Sequence, residues 1–164
     1  MSSAANLTDH PRVSALIERF RHIDLGMRDL PIYNNKVAIE PVGFRSFGKA
    51  ELLGVLLTPW FMNLMILPIE PVAMNMAAIG KTISIELPGG SRTFVVGGDE
   101  VIGLYRARSL HSPLLTFTLP GQALAEARRL LTLLMTPPDA EPAATKTALS
   151  GLDRRALLFR RRNT

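Results

Sequence analysis

The sequence contains no cysteine, and this absence removes several classes of protein. Without thiols the chain cannot form a disulfide framework, a thiolate zinc site, an iron–sulfur cluster or a cysteine nucleophile. Its three histidines, His10, His22 and His111, are too few and too scattered to predict a metal or catalytic cluster. We therefore expect a domain that holds no metal and no cofactor.

The remaining polar motifs predict no enzyme. His111 and Ser112 are adjacent in an extended segment, so their side chains point to opposite faces and are poorly placed to act as base and nucleophile. Gly89-Gly90 and Gly97-Gly98 lack the spacing of a phosphate-binding loop. Asp99-Glu100 lacks the alternating oxygen ligands of a calcium loop, which favours a solvated turn.

Positive charge is concentrated at the C-terminus. The formal net charge is +5, yet the last eleven residues contain Arg154, Arg155, Arg160, Arg161 and Arg162 and no carboxylate side chain. The rest of the chain is close to neutral. This distribution argues against general nucleic-acid binding, which favours a basic surface over the whole domain.

One apolar run is long enough to raise the question of a membrane span. Leu52–Ile69 has no charged residue over eighteen positions, a length at the threshold for a spanning helix. Pro59 interrupts the run near its middle and would leave a backbone carbonyl unpaired in lipid. We therefore predict two strands, Glu51–Leu57 and Phe61–Leu67, and no membrane insertion. Residues 1–7 carry no positive charge, so no targeting signal is predicted.

Two helices are predicted from apolar residues at helical spacing. The first runs from Pro11 to Leu25 with Asp9 as its N-cap, and the second from Pro120 to Met135. Their buried stripes are Val13, Leu16, Ile17, Phe20 and Ile23 in the first, and Leu124, Ala127, Leu131 and Leu134 in the second.

Further strands are predicted at Lys36–Phe44, Thr82–Leu87, Thr93–Val96 and Val101–Leu110. Pro88-Gly89-Gly90 and Gly97-Gly98 are interpreted as the tight turns between the later strands. Short turns between consecutive strands predict an antiparallel sheet. The predicted fold class is α+β, a single domain with a sheet of about five strands and the N-terminal and C-terminal helices packed on one face.

The chain is predicted to end in a flexible arm. The segment 136–150 (TPPDAEPAATKTALS) is rich in proline, alanine and small polar residues, a composition typical of extended linkers. We therefore divide the sequence into a domain over residues 1–136 and an arm over residues 137–164.

Two segments are candidates for protein binding. The first contains the only tryptophan, at a proline-marked strand break, and comprises Thr58, Pro59, Trp60, Phe61 and Met62. A tryptophan at a turn either anchors the core or contacts a partner, and the sequence favours the core without excluding the partner. The second lies in the arm, where arginines enclose an apolar tetrad, and comprises Arg154, Arg155, Leu157, Leu158 and Phe159.

These segments resemble the HybE/HupJ family of nickel–iron hydrogenase assembly chaperones. The similarity is carried by six blocks in family order, namely Gly54–Met62, Met65–Pro68, Leu87-Pro88, Phe94–Gly97, Ser109–Leu114 and Arg154–Phe159. Some HupJ-like proteins also carry a rubredoxin segment with paired cysteines. This chain has no cysteine, so no electron-transfer role is implied.

The resemblance implies a cytoplasmic, non-enzymatic accessory protein of an uptake hydrogenase. Its expected partner is the small- and/or large-subunit precursor of the hydrogenase before twin-arginine export, and other maturation proteins are possible partners. Two functions stay open: a chaperone that holds an apolar segment of the precursor, and an adaptor that tethers maturation factors through the basic arm. The resemblance supplies no binding-residue list, so the candidate residues above rest on the sequence alone.

Limited proteolysis tests the predicted arm. Because the segment between Pro137 and Ser150 cannot bury enough apolar surface to fold alone, we expect the first cleavages to fall there. The measurement is mass spectrometry of the early fragments. Cleavage within the predicted strands at the same rate would contradict the division into domain and arm.

Overall fold

A six-stranded antiparallel sheet forms the centre of the structure, a computed structural model that describes residues 6–138. The order of the strands across the sheet is β1-β2-β3-β6-β5-β4. This confirms the α+β fold class, with six strands in place of about five. The strands are β1 (Glu40–Phe47), β2 (Glu51–Leu57), β3 (Met62–Pro68), β4 (Thr82–Leu87), β5 (Gly90–Asp99) and β6 (Gly103–His111).

The two helices, α1 (Pro11–Asp24) and α2 (Gln122–Leu134), pack on opposite faces of the sheet. The buried stripe of α1 joins one apolar cluster with Leu52 and Leu56, whereas that of α2 joins a second cluster with Leu53 and Val55. Successive residues of a strand point to opposite faces, so the two clusters lie on either side of β2. The prediction that both helices share one face was therefore wrong.

The long apolar run forms the β2–β3 hairpin at the middle of the sheet. Its register is regular from Leu57 opposite Met62 to Glu51 opposite Pro68. Nearly every side chain of both strands is buried, because a helix covers each face. This confirms the two predicted strands and explains why the run lacks the alternation of a half-exposed strand. Between residues 6 and 138, no helix combines the length and apolarity required to cross a membrane.

Gly54 is required in β2 by the close approach of Phe44 from β1. A Cβ at position 54 would lie 2.4 Å from the ring of Phe44, which is fully buried. The ring reaches this position beside an irregularity in β1, where the register with β2 shifts between Val42 and Arg45. The bulged strand thus directs an aromatic side chain over a neighbouring glycine.

Several predicted boundaries differ from the structure. The N-cap of α1 is His10 in place of Asp9, since the His10 Nδ1 accepts a hydrogen bond from the Arg12 N–H at 3.0 Å. The first strand begins at Glu40, four residues after its predicted start. Gly97 and Gly98 lie inside β5 and form no turn; both are glycine because neighbouring side chains leave no room for a Cβ at either position.

Asp99 connects α1 to the β5–β6 turn and is more than the solvated residue that the sequence suggested. Its carboxylate accepts a hydrogen bond from Arg19 Nε at 2.9 Å and two from the N–H groups of Val101 and Ile102. Burial alone would raise the pKa of Asp99, but these hydrogen bonds outweigh it and lower the pKa below its ordinary value. The carboxylate therefore holds the turn and the helix together.

The Gly54–Phe44 contact can be tested by substitution. We expect Gly54→Ala to lower the free energy of unfolding by about 1–3 kcal/mol, because the added methyl overlaps a ring that has no free space to move into. Urea denaturation measures the change. Gly26→Ala is the matched control, since a Cβ there meets only an ordinary 3.8 Å contact and should leave stability nearly unchanged. Equal stability of the two variants would contradict this role of Gly54.

Candidate protein-binding site

The turn between β2 and β3 is held by a buried threonine. The hydroxyl of Thr58 accepts hydrogen bonds from the N–H groups of Trp60 at 3.2 Å and Phe61 at 3.0 Å. The Thr58 N–H in turn donates to the Phe61 carbonyl at 2.9 Å. The backbone N–H groups of Thr58, Trp60 and Phe61 thus all have partners within the turn, which fixes its backbone conformation. Pro59 adds to this rigidity because its ring fixes φ.

The turn places Trp60 in an aromatic cluster on the α1 side of the sheet. Its ring stacks against Phe20 of α1 at 6.5 Å between centroids and against Tyr33 at 6.3 Å. Phe61 meets it edge to face at 5.8 Å. Only 7% of Trp60 is exposed, so the structure shows it as a core residue that joins the turn to α1.

Of the other predicted binding residues, some lie in the core, one lies at the surface, and the rest lie outside the residues that the structure describes. Thr58, Pro59 and Met62 are buried, and Met62 belongs to the cluster on the α2 side, opposite Trp60. Phe61 is half-buried and is the only one of the five that reaches solvent substantially. Arg154, Arg155, Leu157, Leu158 and Phe159 lie outside residues 6–138.

Asn34 is a structural residue that the sequence reasoning missed. Its side-chain amide donates to the carbonyls of Leu114 and Phe117, each at 2.7 Å, and its backbone N–H donates to the Pro59 carbonyl at 2.8 Å. The side-chain oxygen Oδ1 of Asn34 accepts a hydrogen bond from the Lys36 N–H at 2.9 Å. One buried asparagine thus ties together three segments that are far apart in sequence.

We call these three segments, residues 25–39, 58–61 and 112–119, the turn-end surface. Two shallow cavities of about 360 and 320 Å³ adjoin Tyr33, one beside Phe117 and one beside Pro59. The surface also exposes apolar side chains outside any helix or strand, namely Leu25, Leu30, Ile32, Leu115 and Leu119. In the sequence, the signal that could have identified this surface is the presence of leucine and isoleucine in segments that have neither helical nor strand periodicity.

One ion pair lies beside the turn-end surface, between Asp24 and Arg28. Asp24 at the end of α1 is buried and accepts from Arg28 Nε at 2.9 Å. Burial, with the nearby Asp24 carboxylate, raises the pKa of Tyr33. Within residues 6–138, no three histidine or carboxylate side chains gather as a metal site would require. The exposed leucine and isoleucine side chains suit the surface to apolar contact, with the Asp24–Arg28 ion pair at its margin.

His111 has a structural partner in α2. Its Nε2 lies 3.2 Å from the carboxylate of Glu126, which also receives two hydrogen bonds from Arg129 at 2.8 Å. The hydrogen bonds from Arg129, and secondly the one from His111, lower the pKa of Glu126 to about 2. His111 therefore helps to join the end of β6 to α2, in agreement with the prediction that it does not pair with Ser112.

Comparisons of the sequence with a family model and with individual known proteins agree on one family. The family described as NiFe-hydrogenase assembly, chaperone, HybE matches residues 11–160. The hydrogenase expression/formation protein HupJ of Bradyrhizobium diazoefficiens is 40% identical over 134 residues, 80% of this chain and 77% of HupJ. The hydrogenase expression/formation protein HoxT of Azotobacter vinelandii is 35% identical over 147 residues, 90% of this chain and 93% of HoxT.

The fold is also shared with a solved structure. The solution structure of HybE from Escherichia coli superposes with a TM-score of 0.58 at 21% identity, covering 87% of this chain and 91% of that one. At this identity the similarity concerns the fold.

Replacing Trp60 tests its place in the core. Trp60→Ala should lower the free energy of unfolding by about 3–5 kcal/mol, because it removes a ring packed between Phe20 and Tyr33. Thermal or urea denaturation measures the loss. A Trp60→Ala protein that unfolds at the same denaturant concentration as the original would contradict the packing described here.

The Glu126 interactions predict a dependence of stability on acid pH. The folded state lowers the pKa of Glu126 to about 2. The ionised Glu126 therefore contributes its full share to the stability of the folded state above its ordinary pKa near 4.5, and this share is lost as the pH falls toward 2. In the Glu126→Gln variant the melting temperature should therefore fall less between pH 4.5 and pH 2 than it does in the original chain. Thermal unfolding at a series of pH values measures it, and an unchanged slope in the variant would contradict the assignment.

Proposed function

Because the chain belongs to the HybE family of NiFe-hydrogenase assembly chaperones, we propose that it holds a subunit precursor of a nickel–iron uptake hydrogenase in the cytoplasm before twin-arginine export. It performs this role without catalysing a reaction and without a cofactor. The observation that carries the proposal is the extent of the family match, which begins at the first residue of α1 and runs beyond the end of α2. The relatives named above are themselves described as hydrogenase expression and formation proteins.

The turn-end surface is the site that we assign to precursor binding. It presents exposed leucine and isoleucine side chains on loops whose backbones Asn34 holds in place. Loops fixed in advance lose little conformational entropy on binding, so apolar contacts made there yield more net affinity. Within the segment 58–62 we assign Phe61 as the contact residue, and its ring packs edge to face against the buried Trp60.

Apolar burial has to supply the affinity if a twin-arginine leader is part of the bound segment. The chain carries a formal charge of +5, so long-range electrostatics with an arginine-bearing leader are repulsive. Burial of apolar surface contributes roughly 25 cal/mol per Å² removed from water and does not depend on charge. Added salt screens the repulsion and leaves the apolar term in place.

The division into a domain of residues 1–136 and an arm of residues 137–164 remains a proposal, and so does a contribution of the arm to binding. In the chaperone that we propose, the folded domain carries the precursor site. Deletion of residues 139–164 should then leave precursor capture in place. Loss of capture on deletion would favour the adaptor function, in which the arm tethers maturation factors.

A pair of leucines tests the turn-end surface. Leu115 lies on this surface and Leu133 lies on α2, and both are 54% exposed, so their replacement by serine removes the same exposed apolar group. We expect Leu115→Ser to weaken capture of the hydrogenase precursor by about 1–2 kcal/mol, since truncating a contacting side chain costs about this much, and Leu133→Ser to leave it unchanged. Purified chain and co-expressed precursor are compared by pull-down and titration.

The salt dependence completes the test. Capture should persist or strengthen as the salt concentration rises, for the reason given above. Equal effects of the two serine variants would move the site away from the turn-end surface. A steep loss of capture with salt would indicate instead that the arginines of the arm contact an acidic partner.

A further inference from the structure

The strand β4 forms one edge of the sheet and leaves its outer backbone groups unpaired in the part of the chain that the structure describes. Val96 N–H donates to the Lys81 carbonyl at 2.8 Å, so Lys81 and Val96 are a hydrogen-bonded pair, and the next pair along the strands is Thr82 opposite Val95. In an antiparallel pair the bonding residues alternate. Ile83 and Ile85 therefore bond to β5, whereas the N–H and C=O groups of residues 82, 84 and 86 point outward.

The other edge of the sheet is protected and β4 is not. In β1, Pro41 lacks an N–H, the register shifts at Gly43, and the Leu7 N–H donates to the Phe44 carbonyl at 2.7 Å. These are devices that prevent further strand pairing. The pairing of β4 with β5 runs without a register shift from Thr82 to Leu87, and β4 contains no proline and no lysine.

The side chains of β4 suit a strand placed beside it. Ile83 and Ile85 share one face of the sheet, and Ile83 is 42% exposed. An added strand would cover them with its own alternate side chains while its backbone bonds to the outward groups of residues 82, 84 and 86. The only charged side chain of β4, Glu86, lies on the opposite face and receives a hydrogen bond from the Ser91 hydroxyl.

The charge next to Ile83 and Ile85 is positive. Arg92 stands directly opposite Ile85 and donates to the Ser91 carbonyl, and Arg108 of β6 donates to the Thr93 carbonyl at 3.0 Å. Neither guanidinium lies within ion-pair distance of a carboxylate from residues 6–138. A strand that carries carboxylates is thus favoured at this edge over one that carries arginines.

We propose that β4 binds an extended segment of the hydrogenase subunit that combines apolar side chains with carboxylates, and that this segment adds to the sheet as a seventh strand. The inference rests on the proposed function and gives it a second contact, distinct from the turn-end surface. The arginine-rich segment 154–162 of this chain and an arginine-bearing leader are both disfavoured here by charge.

The test uses the full chain and short overlapping peptides that cover both hydrogenase subunit precursors, with binding measured by fluorescence anisotropy. We expect the bound peptides to be apolar and acidic. Ser84→Pro removes an outward N–H and blocks the edge without breaking a bond to β5, so it should weaken binding at least about tenfold, whereas Ser84→Thr should not. The double variant Arg92→Glu with Arg108→Glu should weaken binding of acidic peptides selectively.

Modified peptides make the result independent of how well Ser84→Pro folds. Methylation of alternate backbone nitrogens should abolish binding when the methylated set faces β4 and preserve it when the other set is methylated. Equal binding of both methylated sets, or selection of arginine-rich leader peptides, would overturn the proposal. Self-association of the chain that Ser84→Pro abolishes would also overturn the proposal, because it assigns the edge to a second copy. Tighter peptide binding after deletion of residues 139–164 would overturn it too, because it assigns the edge to the arm.

Failure of this inference and failure of the proposed function give different results. If the original chain and a normally folded Ser84→Pro variant capture intact precursor equally, the chaperone function stands and the edge is not its contact. If the original chain captures neither precursor nor any peptide, both proposals fail.

Discussion

The burial of the β2–β3 hairpin on both faces is the constraint on which the rest of the structure depends. Its two strands place apolar side chains on each side of the sheet, and each side needs its own helix to exclude water. That requirement places α1 on one face of the sheet and α2 on the other. The two helices come from opposite ends of the described chain. It also explains Gly54, since only a residue without a side chain lets Phe44 cross the hairpin on the α1 side.

The same constraint determines where function can reside. A turn at the end of a doubly buried hairpin has little freedom, and Thr58 and Asn34 remove what remains by bonding its backbone. Trp60 therefore serves the packing between hairpin and helix. The surfaces that we propose for partner contact are therefore the loops around the turn and the outer edge of β4. This strand lies three strands away from the nearer strand of the hairpin, and only its Ile85–Leu87 end packs against the α2 cluster.

The sequence predicted the elements more reliably than their arrangement. Periodicity located both helices, and Pro59 correctly divided the apolar run into two strands. The sidedness of the helices was missed because helical periodicity shows which residues of a helix are buried but not against which face of a sheet. The information was present in β2 itself, where consecutive apolar residues without alternation already imply cover on both sides.

At the candidate site the sequence identified the turn but not the surface around it. Tryptophan stands out in a composition with a single copy, whereas Asn34 looks like any polar loop residue until its three distant partners are known. Gly97-Gly98 misled for a related reason: a glycine pair suits a turn, yet here it makes room for Tyr105 on one face of β5 and for Leu104 on the other.

The exposed leucines of the turn-end surface gain their importance from the loops that carry them. Single exposed apolar side chains are common on soluble proteins and by themselves indicate nothing. Here the loops that bear Ile32 and Leu115 are fixed against the turn through Asn34, so the apolar groups keep their relative positions before a partner arrives. A partner then has less disorder to remove, and a modest apolar area can hold it while still allowing release. A chaperone needs both properties, because a precursor held too tightly could not move on to the next step of assembly.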